Sequence, residues 1–271
     1  MSTFDTPMNL FTRVVFAFVA VNALAGAVIL IGFPDRTAEW FFWTITPSIN
    51  AALLDALYLS GAIVVGLLTW RGVWEPARVL VPVLVPAGVV IAIITLVHVD
   101  KFTAGIKLVY WLVVYIGAPL LALAVYWLQE RRGANWRVNT AVTNATRRTA
   151  IVVGALIFAV CTVFLFYPRA IVEHWPWPTG VLMVRVFTIW FGVFGAGLLW
   201  FAVDREWSRL RHIATLMIAA AVLDLIVVAL HRDAITGDAL TVGLYLSHLV
   251  AFALVGALMH FWQRSAAVRT R

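Results

Sequence analysis

WEPARVLVPVLVPAGVVIAIITLVHVD, residues 74–100, decides how the chain is read. Between Arg78 and His98 it carries no charge. The apolar run, about 77–98, is long enough to cross a hydrocarbon core of roughly 30 Å. The pattern then recurs. WSRLRHIATLMIAAAVLDLIVVALHRD, residues 207–233, aligns on it without a gap, so that Trp74, Arg78, His98 and Asp100 match Trp207, Arg211, His231 and Asp233.

Working outward, FPDRTAEWFFWTITP (33–47) aligns with YPRAIVEHWPWPTG (167–180), matching Pro34, Glu39 and Trp43 to Pro168, Glu173 and Trp177. Arg13 matches Arg147, and Tyr110 and Trp127 match Tyr245 and Trp262. Apolar segments lie at about 12–33, 48–70, 77–98, 107–128, 149–167, 179–202, 210–231 and 240–262. With 63% hydrophobic and 12% charged residues, the composition is that of a membrane protein. The expected fold is all-α: a polytopic membrane protein of eight transmembrane helices, in a single membrane domain. Residues 1–135 form the first four-helix repeat and 136–271 the second. Four spans per unit is an even number, so both units share one orientation and a pseudo-twofold axis along the membrane normal. The first segment belongs to this repeat, which argues against a cleaved signal peptide.

The net charge of +7 invites a nucleic-acid reading, and the positions argue against it. With the N-terminus inside, fourteen of the 20 Lys and Arg residues fall on the inner side, five fall in outer loops, and Arg185 lies within a span. This places both termini on the cytoplasmic side of a cell (inner) membrane. The basic excess sets topology and meets anionic lipid. The lipid bilayer, and membrane proteins within it, are the expected partners; nucleic acid is not. The single cysteine, Cys161, excludes intrachain disulfides and Cys-based zinc sites.

Two further stretches carry a resemblance. HWPWPTGVLMVR (174–185) is a Pro-Trp segment leading into a helix with an embedded arginine. HVDKF (98–102), followed by VYWLVVYIGAP (109–119), is the other. Together they resemble a family of eight-helix bacterial integral membrane proteins that carries no assigned activity. The likeness spans most of the chain and implies fold and topology only. It departs where the family continues into a Leu-Thr-Pro-Leu-Thr-like run, here PTGVLMV.

Four ionisable residues share one depth. At 1.5 Å per residue, Arg185, Asp55, Asp224 and His248 lie roughly 9–12 Å below the outer surface. An intramembrane arginine needs a partner, so Arg185 is expected between the carboxylates of Asp55 and Asp224. That cluster reads equally as a structural ion pair or as a ligand or proton site. Asp224 and His231, seven residues apart, share a helix face and would extend it as a polar column. At the outer rim lie Glu39, His98, Asp100, Glu173, His174, His231 and Asp233. Imidazole plus carboxylate suits zinc, iron or manganese, yet H-x-D alone is a weak signal, so no metal is assigned and helix termination is the better reading. The histidines are not spaced as a recurrent bis-His motif, and no cofactor is assigned. Trp40, Trp43, Trp175 and Trp177 are expected in an outer aromatic belt, and Trp70, Trp74, Trp200 and Trp207 in an inner one. Pro82 and Pro86 are expected to kink one helix.

These features support a protein that binds or moves a small anionic molecule, lipid or proton through an outward-facing polar cluster. The alternative is a non-catalytic scaffold or accessory subunit of a membrane complex. Whether the chain is an enzyme stays open.

Overall fold

A computed structural model describes residues 6–133 and 136–269, with side chains described to residue 266. The chain is 81% helix, with no strand among the described residues. Eight helices are long and apolar enough to cross a membrane. They are α1 (Leu10–Gly32), α2 (Ser48–Arg71), α3 (Leu80–Val97), α4 (Ile106–Glu130), α5 (Asn144–Phe166), α6 (Val181–Leu199), α7 (Trp207–Leu230) and α8 (Ala239–Arg269).

Local chemistry sets the helix ends. The Asn9 side chain accepts from Thr12 N and caps α1, and the Thr143 side chain accepts from Thr146 N and caps α5. The second cap starts α5 earlier than its apolar run suggests. Gly72, at φ 67°, ends α2 in the left-handed region that favours glycine. His98 and His231 cap the C-terminal ends of α3 and α7, and a turn of 3₁₀ helix follows each. Pro86 lies inside α3, whereas Pro82 sits in its first turn, where a missing N–H leaves no intrahelical bond unmade.

Helices α2 and α6 form the centre. Of their most apolar windows, 72% and 67% are buried, against no more than 28% for α1, α4, α5 and α8. α2 packs on α1 and α7, and α6 packs on α5 and α3. α4 then covers α3, and α8 covers α7.

One end of the bundle holds the first described residues together with residues 129–133 and 136–143. Here Met8 N donates to Gly72 O (2.8 Å) and Trp74 N to Thr6 O (2.9 Å). Likewise Val142 N donates to Arg205 O and Trp207 N to Thr140 O, both at 2.8 Å. Gln129 at the end of α4 accepts from Asn9 Nδ2 (2.7 Å) and donates to Pro7 O (3.3 Å). Gln263 in α8 accepts from Thr143 N (3.1 Å) and donates to Ala141 O (2.7 Å). This end also buries charge. Arg78 pairs with Glu130 at 2.8 Å and Arg209 with Asp204 at 2.6 Å. The Trp136 ring lies against both guanidiniums, 3.9 Å from Arg78 and 5.7 Å from Arg209.

At the opposite, far end the interhelical loops fold over the bundle. Thr103 N donates to Phe42 O, and Gly237 N to Pro176 O, each at 2.8 Å. Burial at both ends corrects the expected aromatic belts. Trp40 and Trp70 are exposed, but Trp43, Trp74 and Trp177 are fully buried. Trp43 packs on Phe41, Phe102 and Trp111, and Trp177 Nε1 donates to Asn50 Oδ1 at 2.9 Å.

Candidate intramembrane site

α6 starts at Val181, two residues later than its apolar run suggests, so Arg185 lies about 6 Å along it, at 1.5 Å per residue. At that depth the long side chain can carry its charge outward along apolar surface. It reaches the far rim, where Arg185 Nε donates to Leu165 O (3.1 Å) and Nη1 meets His98 Nε2 (2.7 Å). Among the described residues, no carboxylate lies within ion-pair distance of Arg185. The expected pairing with Asp55 or Asp224 is not formed. Burial, and secondly the positive charge of Arg185, hold His98 below its ordinary pKa. His98 therefore meets the guanidinium as a neutral acceptor.

Asp55 and Asp224 are buried in α2 and α7, and Oδ1 of each has no hydrogen-bond partner. No hydrogen bond or ion pair among the described residues joins Arg185, Asp55, Asp224 and His248 to one another. His248 is part of an aromatic stack: its Nδ1 lies 2.7 Å from Tyr245 O, and its ring is 5.4 Å from Phe191 and 5.0 Å from Tyr245. His231 Nδ1 lies 3.0 Å from Val227 O, one turn back on its own helix, so no hydrogen-bonded column joins it to Asp224. At the rim, Glu39, Asp100, Glu173, His174 and Asp233 are exposed. Asp100 pairs with Lys101 at 2.9 Å, and this contact draws its carboxyl below the usual range. Asp233 lies 3.9 Å from Arg232. Among the described residues, no group of three or more His, Cys, Asp or Glu side chains could hold a metal ion.

Cavities lie elsewhere. A cavity of about 380 Å³ opens between α1, α3 and α4, with Tyr58 of α2 and Trp190 of α6 in its wall and Phe41 and Phe42 at its far end. Along α1 its lining runs from Val15 to Ile29, a rise of roughly 21 Å. Small side chains are frequent in its lining: Ala23, Gly26, Ala87, Gly88, Ala118 and Ala122. Phe18 and Tyr110, in the α1 and α4 walls, are exposed on the outside of the bundle, so the slot opens toward the surrounding lipid. Its tyrosine hydroxyls are bonded, whereas the buried Trp190 Nε1 has no hydrogen-bond partner. The Tyr58 and Tyr115 hydroxyls lie 2.8 Å apart, and Tyr110 donates to Asn22 Oδ1. A smaller cavity of about 60 Å³ lies between α2, α3, α6 and α7, and Leu80, Leu84 and Trp190 line both. Arg185, Asp55, Asp224 and His248 line neither.

Between α6 and α8, rings take up the space. Phe194 meets Phe252 at 5.1 Å and Phe191 meets Phe252 at 5.7 Å, both edge-on. The sequence reading missed the slot because it followed charge. The signal was the recurrence of Gly and Ala on three apolar segments, with tyrosines at mid-depth. Searches against protein-family models, curated proteins and solved structures return no match to this chain.

Proposed function

We propose that this is a bacterial inner-membrane protein that binds a lipid or another small hydrophobic molecule in the slot of its first half. The slot carries this reading. About 380 Å³ holds on the order of a dozen groups the size of a water molecule, each taking roughly 30 Å³. An apolar void of that size, open to lipid, fills with the apolar molecules around it rather than with water. Its elongation along α1 suits an extended chain.

The architecture in this proposal is two parallel four-helix repeats around a pseudo-twofold axis, with both termini cytoplasmic. Paired contacts support it. Met8–Gly72 and Trp74–Thr6 recur as Val142–Arg205 and Trp207–Thr140, and the Gln129 bonds recur at Gln263. The packing of α2 on α7 and of α3 on α6 is the exchange that such an axis makes. Duplication followed by divergence accounts for one half keeping the slot while aromatic rings close α6 on α8 in the other.

The test is lipid retention by the purified protein. Gly26→Leu places a side chain into the slot from a Cβ position 3.5 Å from the Tyr58 ring. The wild-type protein should retain extractable lipid through detergent exchange, and Gly26→Leu should lose most of it at similar thermal stability. Equal retention by the two proteins would remove the reading and leave the scaffold alternative.

A further inference from the structure

The Arg185 guanidinium has five N–H donors, and the structure commits two: Nε–H to Leu165 O and one Nη1–H to His98. Its charge faces a backbone carbonyl and an imidazole, with no carboxylate in reach. An arginine held by neutral acceptors at the edge of a bilayer keeps both its charge and a free donor edge.

The surroundings say what meets that edge. His98 lies between Val97 and Val99, which are 59% and 47% exposed. Leu165 is followed by Phe166 and Tyr167, which are 69% and 71% exposed. Large apolar side chains on both flanks mark lipid-facing surface at the far rim, the level at which headgroups lie. We propose that Arg185, positioned by His98 and the Leu165 carbonyl, binds the phosphate of an anionic lipid headgroup at the far rim. Two parallel N–H···O bonds from a guanidinium fit a phosphate in a way that a lysine ammonium does not. His98 and Leu165 act as positioning groups: they aim the planar fork and leave its remaining donors outward. This site stands apart from the slot, which Arg185 does not line.

Native mass spectrometry of the full-length protein in detergent tests it, with phosphatidylglycerol and phosphatidylcholine as probes. Both lipids carry the phosphate, but the choline cation of phosphatidylcholine neutralises its headgroup and is repelled by Arg185, so the wild-type protein should prefer phosphatidylglycerol by about tenfold. Arg185→Gln should abolish that preference, and Arg185→Lys should retain only part of it. Gly26→Leu should leave it intact, which separates this site from lipid in the slot. No preference in the wild-type protein, or one unchanged in Arg185→Gln, overturns the proposal. If Arg185→Gln does not fold, Arg185→Lys decides, and full preference there overturns the bidentate site. Displacement of phosphatidylglycerol by millimolar inorganic phosphate would assign the site to a soluble anion and overturn the lipid assignment.

Discussion

The contact that brings Leu165 O to Arg185 depends on how closely α5 and α6 approach, and two glycines of α6 should respond to alanine in opposite ways. At Gly195 an added Cβ would lie 2.9 Å from Phe158 N and 3.2 Å from Gly154 O. Both are backbone atoms, so the helices must separate. At Gly192, one turn earlier, the nearest atom is Cys161 Cβ at 3.7 Å, an ordinary contact. Each substitution gains about 0.8–1 kcal/mol of helix propensity. Only Gly195→Ala also takes on overpacking, about 1–3 kcal/mol and near the upper figure when backbone must move. Gly192→Ala should therefore be stabilising by up to about 1 kcal/mol and Gly195→Ala destabilising by about 1–2 kcal/mol. Unfolding in mixed micelles, followed by tryptophan fluorescence, measures both. Equal stability of the two variants, or a stabilised Gly195→Ala, would refute the close α5–α6 approach.

Arg185→Leu and Asp224→Asn should be additive in stability within about 0.5 kcal/mol, because the residues share no bond. A double-mutant coupling above about 1.5 kcal/mol would restore the ion pair. Protonation of His98 should loosen the far rim: its folded pKa is lowered, so its contribution is present above the ordinary value of about 6.5 and is lost as pH falls through the folded value. Thermal stability of wild type should thus fall more steeply below pH 6.5 than that of His98→Gln, and parallel curves would contradict this. In a Cys161→Ser background, a cysteine at Ala104 or Asp238 should be labelled by an impermeant reagent from outside the cell. One at Ala134, which lies outside the described residues, should not, and the reverse pattern would invert the topology.

The membrane fold was legible because lipid leaves the chain few choices: long apolar runs must become helices, and their number can be counted from the sequence. The positions of Arg185, Asp55, Asp224 and His248 along their apolar segments were legible too, but not their partners. Depth follows from position along a helix, whereas contact depends on rotation about its axis. Arg185 points to α3 and α5, and the aspartates face the packed interior. Arg78 and Arg209 were counted only as inner-side basic residues, and their partners Glu130 and Asp204 were not foreseen, because folding of segments over the bundle end leaves no periodic trace. Trp43 and Trp177 were misplaced for the same reason. The slot depends on side chains that are absent, and charge-led reading does not register them.

Gln129 and Gln263 each join the last helix of a four-helix segment to the residues that precede its first. The ties form within a segment rather than between the two. A chain leaving the ribosome can therefore close its first ring of helices once α4 has entered the bilayer, before α5 is made. The slot, walled mostly by α1, α3 and α4, would then be largely built while half the protein is still untranslated. Trp190, which comes from α6, would complete its wall later. On the proposed function, lipid would then meet this slot before α6 arrives to complete its wall.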